Sequence, residues 1–528
     1  DNEERERGTF KKRPRDPTDD PSTVLCRGVA AGEGCSFEDK CKFSHDVADF
    51  LKRRPKDLGD TCPVFAANGY CRYGLNCCYG LSHVDANHVN LGTPADFKAT
   101  EANDLSMDNR NLLRKSTYPF RSVASTYKKK GGMAKKARDF KVLYIGPLTT
   151  VGNLPFRRVL KQWGADITCG EMAMTTNLLQ GQQSEWALLR RHESEDIFGV
   201  QIAGAFGDQT ARVCELITRE VRSCSLFLVF CVCCSTPNAG AGAALMNRTP
   251  KLCEVISGAL TGIEVGSFGR ATRPGLTVKM RTGWSDKQPL AHKLVPKVQS
   301  LRSGADFMNQ SVVLNYAMRT NVNVDALTIH GRSRLQRYSK SADWVYVEEC
   351  ANAREAGDGG RQMALIGGGD VLSYEEFHQH LSSGVLDTCM LARGALIKVH
   401  RCVDPWLPTE IKERRHFDIS ASERLDLLKD FVKFGMEHWG SDQKGINRTR
   451  RYLLEWQSFL CRYIPVGILE QLPQRINARP GLYYGRNDLE TLMASDQAVD
   501  WIKISEMLLG PVPEGFQFVP KHKANAYA

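Results

Sequence analysis

Long apolar runs are missing from this sequence of 528 residues. None approaches the roughly 20 residues that a helix needs to cross a bilayer, and the longest, Ser225 to Cys234, has the length of one buried strand. No signal-peptide pattern accompanies the 18 cysteines, and two groups of them have the spacing of metal ligands. We therefore expect no membrane span, no secreted disulfide framework and a reducing compartment.

Acidic residues are too few to balance the basic ones, which leaves a formal net charge of +11. The basic residues crowd two stretches, 11–15 and 128–141. Because such clusters release counterions when they meet phosphates, an RNA or DNA partner is favoured over a membrane. A soluble basic protein without such a partner is the alternative. The stretch 11–15 resembles a nuclear-import patch, so we expect a cytoplasmic protein with the nucleus as a second location.

Composition divides the chain into five segments. Residues 1–22 are polar, charged and interrupted by proline, which predicts a disordered basic tail. Two cysteine and histidine units follow in 23–85, and 86–138 lacks periodicity and ends in the lysine run, which predicts a flexible basic linker. Segment 139–410 alternates apolar runs with helical stretches, and 411–528 has helical patterns only.

Eight short apolar runs punctuate the segment 139–410. They are Val142 to Leu148, Asp166 to Met172, Phe198 to Gly204, Ser225 to Cys233, Leu276 to Thr282, Ala326 to Arg332, Met363 to Asp370 and Thr388 to Gly394. Strands that alternate with helices form parallel sheets, and eight such units in about 250 residues close a (β/α)8 TIM barrel. The sequence therefore predicts an α/β fold of that type.

Helical patterns begin after Asp418. Ser420 and Glu423 form a capping box ahead of apolar residues that share one helix face. Apolar and charged residues alternate with helical spacing again in 450–463 and 491–509. We predict a separate C-terminal helical domain.

Two sets of four residues have the number and chemical type of zinc ligands. The first set, with the spacing C-x8-C-x5-C-x3-H, is Cys26, Cys35, Cys41 and His45. The second set, with the spacing C-x8-C-x5-C-x5-H, is Cys62, Cys71, Cys77 and His83, with Cys78 as a substitute ligand. Closed tetrahedral Zn²⁺ sites are built from such sets, and segments with so few apolar residues need the metal in order to fold.

CCCH fingers bind single-stranded RNA through aromatic side chains and basic residues. The candidates here are Phe37, Phe43, Phe65, Tyr70, Arg72 and Tyr73. Packing around the metal is an alternative role for most of them.

Polar residues and glycines stand at the ends of the predicted barrel strands, where (β/α)8 enzymes have their active sites. Gln201, Lys279 and His330 suit a ring of donors around a flat polar cofactor. Gly367 to Asp370 and Ala392 to Gly394 end the last two strands, where this fold commonly binds phosphate. Flavin mononucleotide (FMN) fits this layout.

Five motifs resemble one enzyme family, the tRNA-dihydrouridine synthases, and within it the eukaryotic branch that carries two CCCH fingers. They are Pro147 to Arg157, Ile167 to Trp186, Gly199 to Gly204, Thr277 to Gly283 and Ile329 to Arg334, and the likeness extends to 521–527. The resemblance implies a barrel that holds FMN, a flavin reduced by NADPH or NADH, and hydride transfer to a uracil ring at position 47 of cytoplasmic tRNA. The target base is extracted from the tRNA fold, and a cysteine supplies the proton.

The family's flavin contacts correspond to eleven residues here, namely Pro147, Leu148, Thr149, Gln201, Lys279, His330, Gly368, Gly369, Asp370, Ala392 and Arg393. The resemblance also implies a C-terminal domain that binds tRNA. Its candidates for phosphate contacts are Arg450, Arg451, Arg462, Arg475, Arg479 and Arg486. We expect a monomer that binds tRNA, with other RNAs as an open possibility.

The family's catalytic loop, N-x-G-C-P after the fourth strand, is absent. Counting back from Leu245 places Cys231 at the position of the catalytic cysteine, by spacing alone. A gene-model error over this segment explains the unrelated residues, and 262–274, 304–323 and 399–404 read as insertions. Two alternatives stay open, a catalytically inactive RNA-binding protein and a flavin oxidoreductase that acts on a free small molecule.

Overall fold

Eight parallel strands form the central element of the fold in the computed structural model, which describes residues 21–121, 143–221, 225–231, 235–236, 240–268, 270, 273–301, 322–336, 340–355, 363–398, 407–476, 481, 483–513 and 515–521. In chain order the strands are β1 (Tyr144–Ile145), β2 (Ile167–Cys169), β3 (Ile197–Ala203), β4 (Ser225–Cys231), β5 (Gly275–Arg281), β6 (Ala326–His330), β7 (Ala364–Gly368) and β8 (Thr388–Leu391). All eight lie within or beside the runs predicted from the sequence, which confirms the barrel.

Each strand pairs in parallel with its neighbours in chain order, and β8 pairs with β1, so the sheet is closed. Closure removes the free edges that an open sheet would expose. It also brings all eight carboxyl ends of the strands to one rim.

Side chains alternate between two faces along every strand. One set fills the inside of the barrel, including Tyr144, Cys169, Phe227, Val229, Ile366 and Met390. The other set packs outward against the helices, including Phe198, Val200, Leu228, Val278, Leu327 and Leu365. This alternation gives a simple rule for which strand residues face the lumen.

Eighteen α-helices are found in the described residues. They are α1 (Arg27–Ala31), α2 (Val47–Arg53), α3 (Pro63–Asn68), α4 (Met107–Arg114), α5 (Leu154–Gln162), α6 (Thr175–Leu179), α7 (Gln183–Trp186), α8 (Gly207–Glu220), α9 (Thr249–Gly266), α10 (Ala291–Ser300), α11 (Trp344–Asn352), α12 (Tyr374–Leu381), α13 (Arg393–Ile397), α14 (Leu407–Glu413), α15 (Ala421–Trp439), α16 (Gln443–Leu460), α17 (Asp488–Ala494) and α18 (Ala498–Leu509). Among them, no helix is both long and apolar enough to cross a membrane.

The chain divides into two compact units. The first comprises Asp1–Ala99 and Lys433–Arg451, and the second comprises Thr100–Val432 and Tyr452–Ala528. In the described part of the first unit, an apolar cluster of Leu25, Ala30 and Leu75 joins the two predicted finger segments. Asn76 donates to the carbonyl of Leu25 at 2.7 Å, so the two fingers pack on each other.

The described part of the predicted linker 86–138 is structured, which corrects that prediction. Glu101–Ala102 pairs antiparallel with Arg191–His192, and α4 follows. Leu105, Leu113 and Tyr118 are buried in the outer core of the barrel unit. These apolar residues are too few to give a periodic pattern in the sequence. Each is nevertheless buried against the helices and strands of the barrel unit. Residues 122–138 and the predicted tail 1–20 lie outside the described residues.

The predicted C-terminal helices are present, and residues 452–528 belong to the same compact unit as the barrel. Trp456 is fully buried, its indole N–H donates to the carbonyl of Leu396 at 3.0 Å, and its ring packs edge-on against Phe156. The helical pattern of the sequence predicts the helices themselves. It carries no information about the surface that they cover.

Helices α8 and α9 approach closely because α9 presents glycine at every fourth position. A Cβ atom on Gly258, Gly262 or Gly266 would come within 2.4, 2.1 and 2.8 Å of carbonyl oxygens of α8. The first part of the predicted insertion 262–274 is therefore the last turn of α9, packed against the barrel layer. The predicted insertions 304–323 and 399–404 fall almost entirely outside the described residues.

We predict that Gly262→Val destabilises the barrel unit by roughly 3 kcal/mol, because the new side chain overlaps the α8 backbone. Thermal unfolding followed by intrinsic fluorescence measures the effect. Gly481→Val is the matched control, since a Cβ at that position meets no atom within 4 Å. Equal midpoints for the two variants would contradict the close helix packing.

Candidate active site and metal centres

Five of the predicted site residues face the lumen at the carboxyl rim of the barrel. They occupy the inward positions of their strands, and they are Gln201, Cys231, Lys279, His330 and Gly368. Four of them stand two or four residues after an inner-core side chain of the same strand, and Lys279 is in register with Cys231. Gln201 and Cys231 are buried, and Lys279 and His330 are half-buried. The structure thus brings polar donors from three strands, a thiol from a fourth and a glycine from a fifth to a single rim.

Cys231 is the last residue of β4 and stands in register with Lys279 of β5. Adjacent strands lie about 4.8 Å apart, so the thiol and the lysine leave the sheet side by side on the same face. Cys231 has no exposed surface and packs with Ala203, Met172 and Met174. The strand does not carry this thiol to the outer face. Residues 232–234 lie outside the described residues.

The loop after β1 is held by a carboxylate. Pro147 and Leu148 are half-buried and Thr149 is exposed, and the next residue, Thr150, has a φ of 73°. The N–H of Thr150 donates to Glu171 at 2.8 Å. Burial raises the pKa of Glu171, and the Thr150 hydrogen bond lowers it. Glu171 therefore fixes the loop that carries three of the predicted flavin contacts.

A second thiol, that of Cys169, lies inside the barrel at the end of β2. Burial raises the pKa of Cys169 to about 12, with Arg157 opposing that shift. Cys169 is therefore a neutral thiol at physiological pH. It packs with the inner core, beside Tyr144 and Phe227.

Asp370 organises the rim after β7. Arg393 donates to one of its oxygens at 2.7 Å and Arg332 to the other at 2.5 Å, and the N–H of Ala342 also reaches it at 2.7 Å. The predicted phosphate residues Asp370 and Arg393 are therefore paired with each other. Ala392 and Arg393 begin helix α13 directly after β8.

Glycines leave room at the same rim. A Cβ on Gly368 would meet only ordinary contacts at 3.5 Å or more, so the missing side chain leaves lumen space between His330 and Met390. Gly369 has a φ of 126°, and a Cβ there would fall 2.7 Å from Ala342 and 3.2 Å from the His330 ring. Space beside backbone amides and cationic side chains suits a planar polar group with a phosphate. The residues present therefore fit a flavin nucleotide.

Arg281 and Arg332 extend the set beyond the residues singled out from the sequence. Arg281 faces the lumen two residues after Lys279 and donates to the carbonyl of Ser333 at 2.8 Å. Arg332 is fully buried and contacts Asp370. Both lie within motifs that resemble the family, and their spacing of two residues from Lys279 and His330 is the sequence signal that could have identified them.

The first predicted metal set comes together in the structure. The ligand atoms of Cys26, Cys35, Cys41 and His45 all lie within 4.8 Å of one another. His45 is exposed, and the N–H of Phe37 donates to the Cys35 sulfur at 3.4 Å. This centre lies near the surface of its unit.

The second predicted metal set is also assembled, and it is fully enclosed. It consists of Cys62, Cys71, Cys77 and His83, each at most 1% exposed. The sulfur atoms of Cys62 and Cys77 are 3.6 Å apart, close to the roughly 3.8 Å that two thiolates of a tetrahedral Zn²⁺ require. Cys78 is not part of the cluster that the described residues form.

The imidazole of His83 supplies the clearest test of a metal at this second set. Asn90 donates to the carbonyl of Cys71 at 2.7 Å, so its amide oxygen faces His83 Nδ1 at 2.9 Å and accepts a proton from it. His83 Nε2 is buried and has no hydrogen-bond partner among the described residues. The hydrogen bond to Asn90 keeps the proton on Nδ1, so the lone pair of Nε2 lies beside three thiols. This arrangement fits a Zn²⁺ ligand.

Burial separates the candidates for RNA contacts in the fingers. Phe37 and Phe43 are 69% and 43% exposed, and Arg72 is also exposed. Tyr70 and Tyr73 are buried, and Phe65 stacks on the His83 ring, so packing is the role of these three. The sequence could not separate the two groups, because an aromatic residue serves both purposes.

The candidate arginines of the C-terminal region also differ. Arg450 is 1% exposed and is not available for a phosphate, which corrects that prediction. Arg486 is paired with Asp418 and Glu490, and Arg462 donates to the carbonyl of Ile476. Arg451 and Arg475 are exposed, and Arg479 lies outside the described residues.

Comparisons with known proteins agree with the geometry. Residues 144–433 match the family described as dihydrouridine synthase (Dus). The chain is 42% identical over 583 residues to a Xenopus tropicalis protein named tRNA-dihydrouridine(47) synthase NAD(P)(+)-like, covering 99% of this chain and 83% of that one. It is 41% identical over 601 residues to a Homo sapiens protein of the same name, covering 99% and 85%, and 37% identical over 639 residues to an Arabidopsis thaliana one, covering 96% and 86%.

We predict that Asp370→Asn destabilises the barrel unit by about 3 kcal/mol, because it leaves the buried Arg332 guanidinium without its carboxylate. Urea unfolding measures the loss. Asp208→Asn removes a carboxylate from the exposed Asp208–Arg212 pair and serves as the control, for which we expect little change. Equal stability of the two variants would show that Asp370 does not organise the rim.

Proposed function

The chain belongs to the dihydrouridine synthase family, and from this premise we propose that it reduces uridine to 5,6-dihydrouridine in tRNA, as an NAD(P)H-dependent oxidoreductase. The observation that carries the proposal is the rim of Gln201, Cys231, Lys279, His330 and Gly368. We extend it to position 47, which the relatives' printed names specify, and to cytoplasmic tRNA, which the sequence resemblance implies.

FMN, reduced by NADPH or NADH, supplies the hydride when it is bound. Lys279 and His330, on the adjacent strands β5 and β6, would be donors to its ring system. Gln201, on β3, would be the third donor. Pro147, Leu148 and Thr149 line it from the loop that Glu171 fixes. The space at Gly368 and the guanidinium of Arg393 would hold the phosphate, with Asp370 and Ala392 setting their positions, and Gly369 lets the backbone pass close to Ala342 and His330.

Cys231 is the proton donor in this proposal. Its Sγ–H gives a proton to the uracil carbon beside the one that receives hydride, from the opposite side of the ring. Because Cys231 and Lys279 leave adjacent strands in register, the thiol stays next to a cation that stabilises the thiolate after transfer. Burial excludes water from the thiol until substrate is present.

The fingers and the C-terminal helices serve RNA binding in the same proposal. Zn²⁺ occupies both Cys3His sets, whose donors suit it. The exposed rings of Phe37 and Phe43 offer stacking surfaces for unpaired bases, and Arg72, Arg451 and Arg475 offer charges for phosphates. We propose that the protein acts as a monomer in the cytoplasm, with the nucleus as a second location.

One observation favours a second candidate function. The family's N-x-G-C-P loop is replaced here by Leu228-Val229-Phe230-Cys231-Val232. A protein that keeps the barrel and the fingers but has lost the proton donor's proper setting would bind tRNA without modifying it. Activity of the purified chain decides between the two.

We predict that the purified chain shows flavin absorbance and forms dihydrouridine in a uridine-containing tRNA transcript. Cys231→Ala should retain flavin and NADPH-dependent flavin reduction but lose dihydrouridine formation by about 10²–10⁴-fold. Mass spectrometry of nucleosides measures the product. Cys389→Ala is the matched control, since that buried thiol lies on the outer face of β8, and its activity should equal that of the wild type.

Three results would count against these assignments. A wild-type chain that binds flavin and tRNA but forms no product would support the inactive candidate. A chain that cannot be loaded with flavin would remove the enzyme proposal. Full activity of Cys231→Ala would show that another group donates the proton.

A further inference from the structure

A turn far along the sequence packs directly on the second metal set. The turn consists of Gly440, Ser441 and Asp442, between α15 and α16. The N–H of Cys78 donates to the carbonyl of Ser441 at 2.8 Å, and Cys77 forms a β-bridge with Asp442. The metal ligands and this turn belong to the same compact unit.

Glycine is required where the turn meets the finger. Gly440 has a φ of 116°, and a Cβ atom there would fall 2.2 Å from the Tyr73 hydroxyl. Tyr73 is buried, so it cannot move aside without opening the finger. The close approach is therefore built into the backbone of the turn.

The hydroxyl of Ser441 points at the sulfur atoms. Its Oγ lies 3.0 Å from Cys77, 3.5 Å from Cys71 and 4.0 Å from Cys62. Ser441 has no exposed surface. As a protonated thiol, Cys77 Sγ donates to Ser441 Oγ, and the contact with Cys71 can run in either direction. Zn²⁺ binds thiolates, which have no proton to give, so the one proton of the Ser441 hydroxyl then goes to a sulfur atom, of which Cys77 Sγ is the nearest.

A buried Cys3His centre creates a need for such donors. Three thiolates and one Zn²⁺ carry a net negative charge, which is costly to enclose without hydrogen bonds to the sulfur atoms. Backbone N–H groups of Phe65 and Tyr79 reach Cys62 and Cys77 at 3.5 and 3.3 Å. Asn90 orients His83 from the other side. Ser441 is a side-chain donor to these sulfur atoms from outside residues 62–90.

We propose that Ser441 completes the second zinc centre as a hydrogen-bond donor to the Cys77 thiolate, so that the bound metal holds the turn 440–442 on the finger. This inference rests on the zinc part of the proposed function. Ser441 is a positioning residue that slows loss of the metal, and the second centre is a structural joint within its unit. The first centre, with its exposed histidine, has no such cover from residues 440–442.

Zinc release from the purified holoprotein to a chromogenic chelator tests the proposal. The wild type should hold two Zn²⁺ ions and release them in a fast and a slow phase, because one centre is open to solvent and the other is enclosed. Ser441→Ala should accelerate the slow phase by roughly 10–100-fold and leave the fast phase unchanged. Ser505→Ala, which removes another fully buried hydroxyl in the barrel unit, is the matched control and should change neither phase.

A spectroscopic measurement separates hydrogen bonding from simple packing. In the Co²⁺-substituted protein, loss of the hydroxyl should move the thiolate-to-metal charge-transfer band of one centre to lower energy, whereas Ser505→Ala should leave it in place. An unchanged band together with an unchanged slow phase in Ser441→Ala would overturn the proposal. A protein with fewer than two Zn²⁺ ions would instead refute the zinc assignment itself.

A measurement on the wild type keeps the proposal testable if Ser441→Ala does not fold. Removal of the slowly released zinc should increase hydrogen exchange at the amides of residues 440–442 and 77–79 together. Increased exchange at 77–79 alone would show that the turn is held by other contacts and would overturn the proposal.

Discussion

Closure of the eight-stranded sheet is the constraint on which the candidate active site depends. Once β8 pairs with β1, each strand has a fixed inner and outer face, and the order of the side chains at the rim is set. Four residues that are far apart in the sequence come from four strands, namely Gln201, Cys231, Lys279 and His330. All four take the inward side of their strands and lie near the carboxyl ends. Asp370, held between Arg332 and Arg393, then fixes the last part of that rim.

The same alternation explains how far the sequence could predict the fold. Eight apolar runs of β-branched and aromatic residues indicated the strands within a few positions, because buried parallel strands need little else. The sequence placed Gln201, Lys279 and His330 near strand ends, and the alternation of faces along the observed strands puts them on the inward side. The orientation of Cys231 could not be predicted, since its loop differs from the family pattern; the inner-core position of Val229 and the register with Lys279 locate it.

What the sequence did not reveal depends on partners that are distant in the chain. Leu105, Leu113 and Tyr118 look like scattered apolar residues until the barrel offers them a surface. Arg450 and Arg451 are neighbours of the same type, and the helix turns one inward and the other to solvent. Tyr70 and Tyr73 resemble stacking residues, but the paired fingers bury them. In each case the sequence shows which chemical groups a residue has. Tertiary packing determines whether that residue is buried or available to bind RNA.

The turn at Gly440–Asp442 has a consequence for how the protein is made. Ribosomal synthesis delivers Cys62, Cys71, Cys77 and His83 more than three hundred residues before Ser441 emerges. The first finger has all of its ligands early and can take up its ion while the barrel is still being translated. The second also has its four ligands early but must wait for the turn 440–442 before it is enclosed, so a recombinant fragment that stops before residue 440 would carry this metal site without its cover.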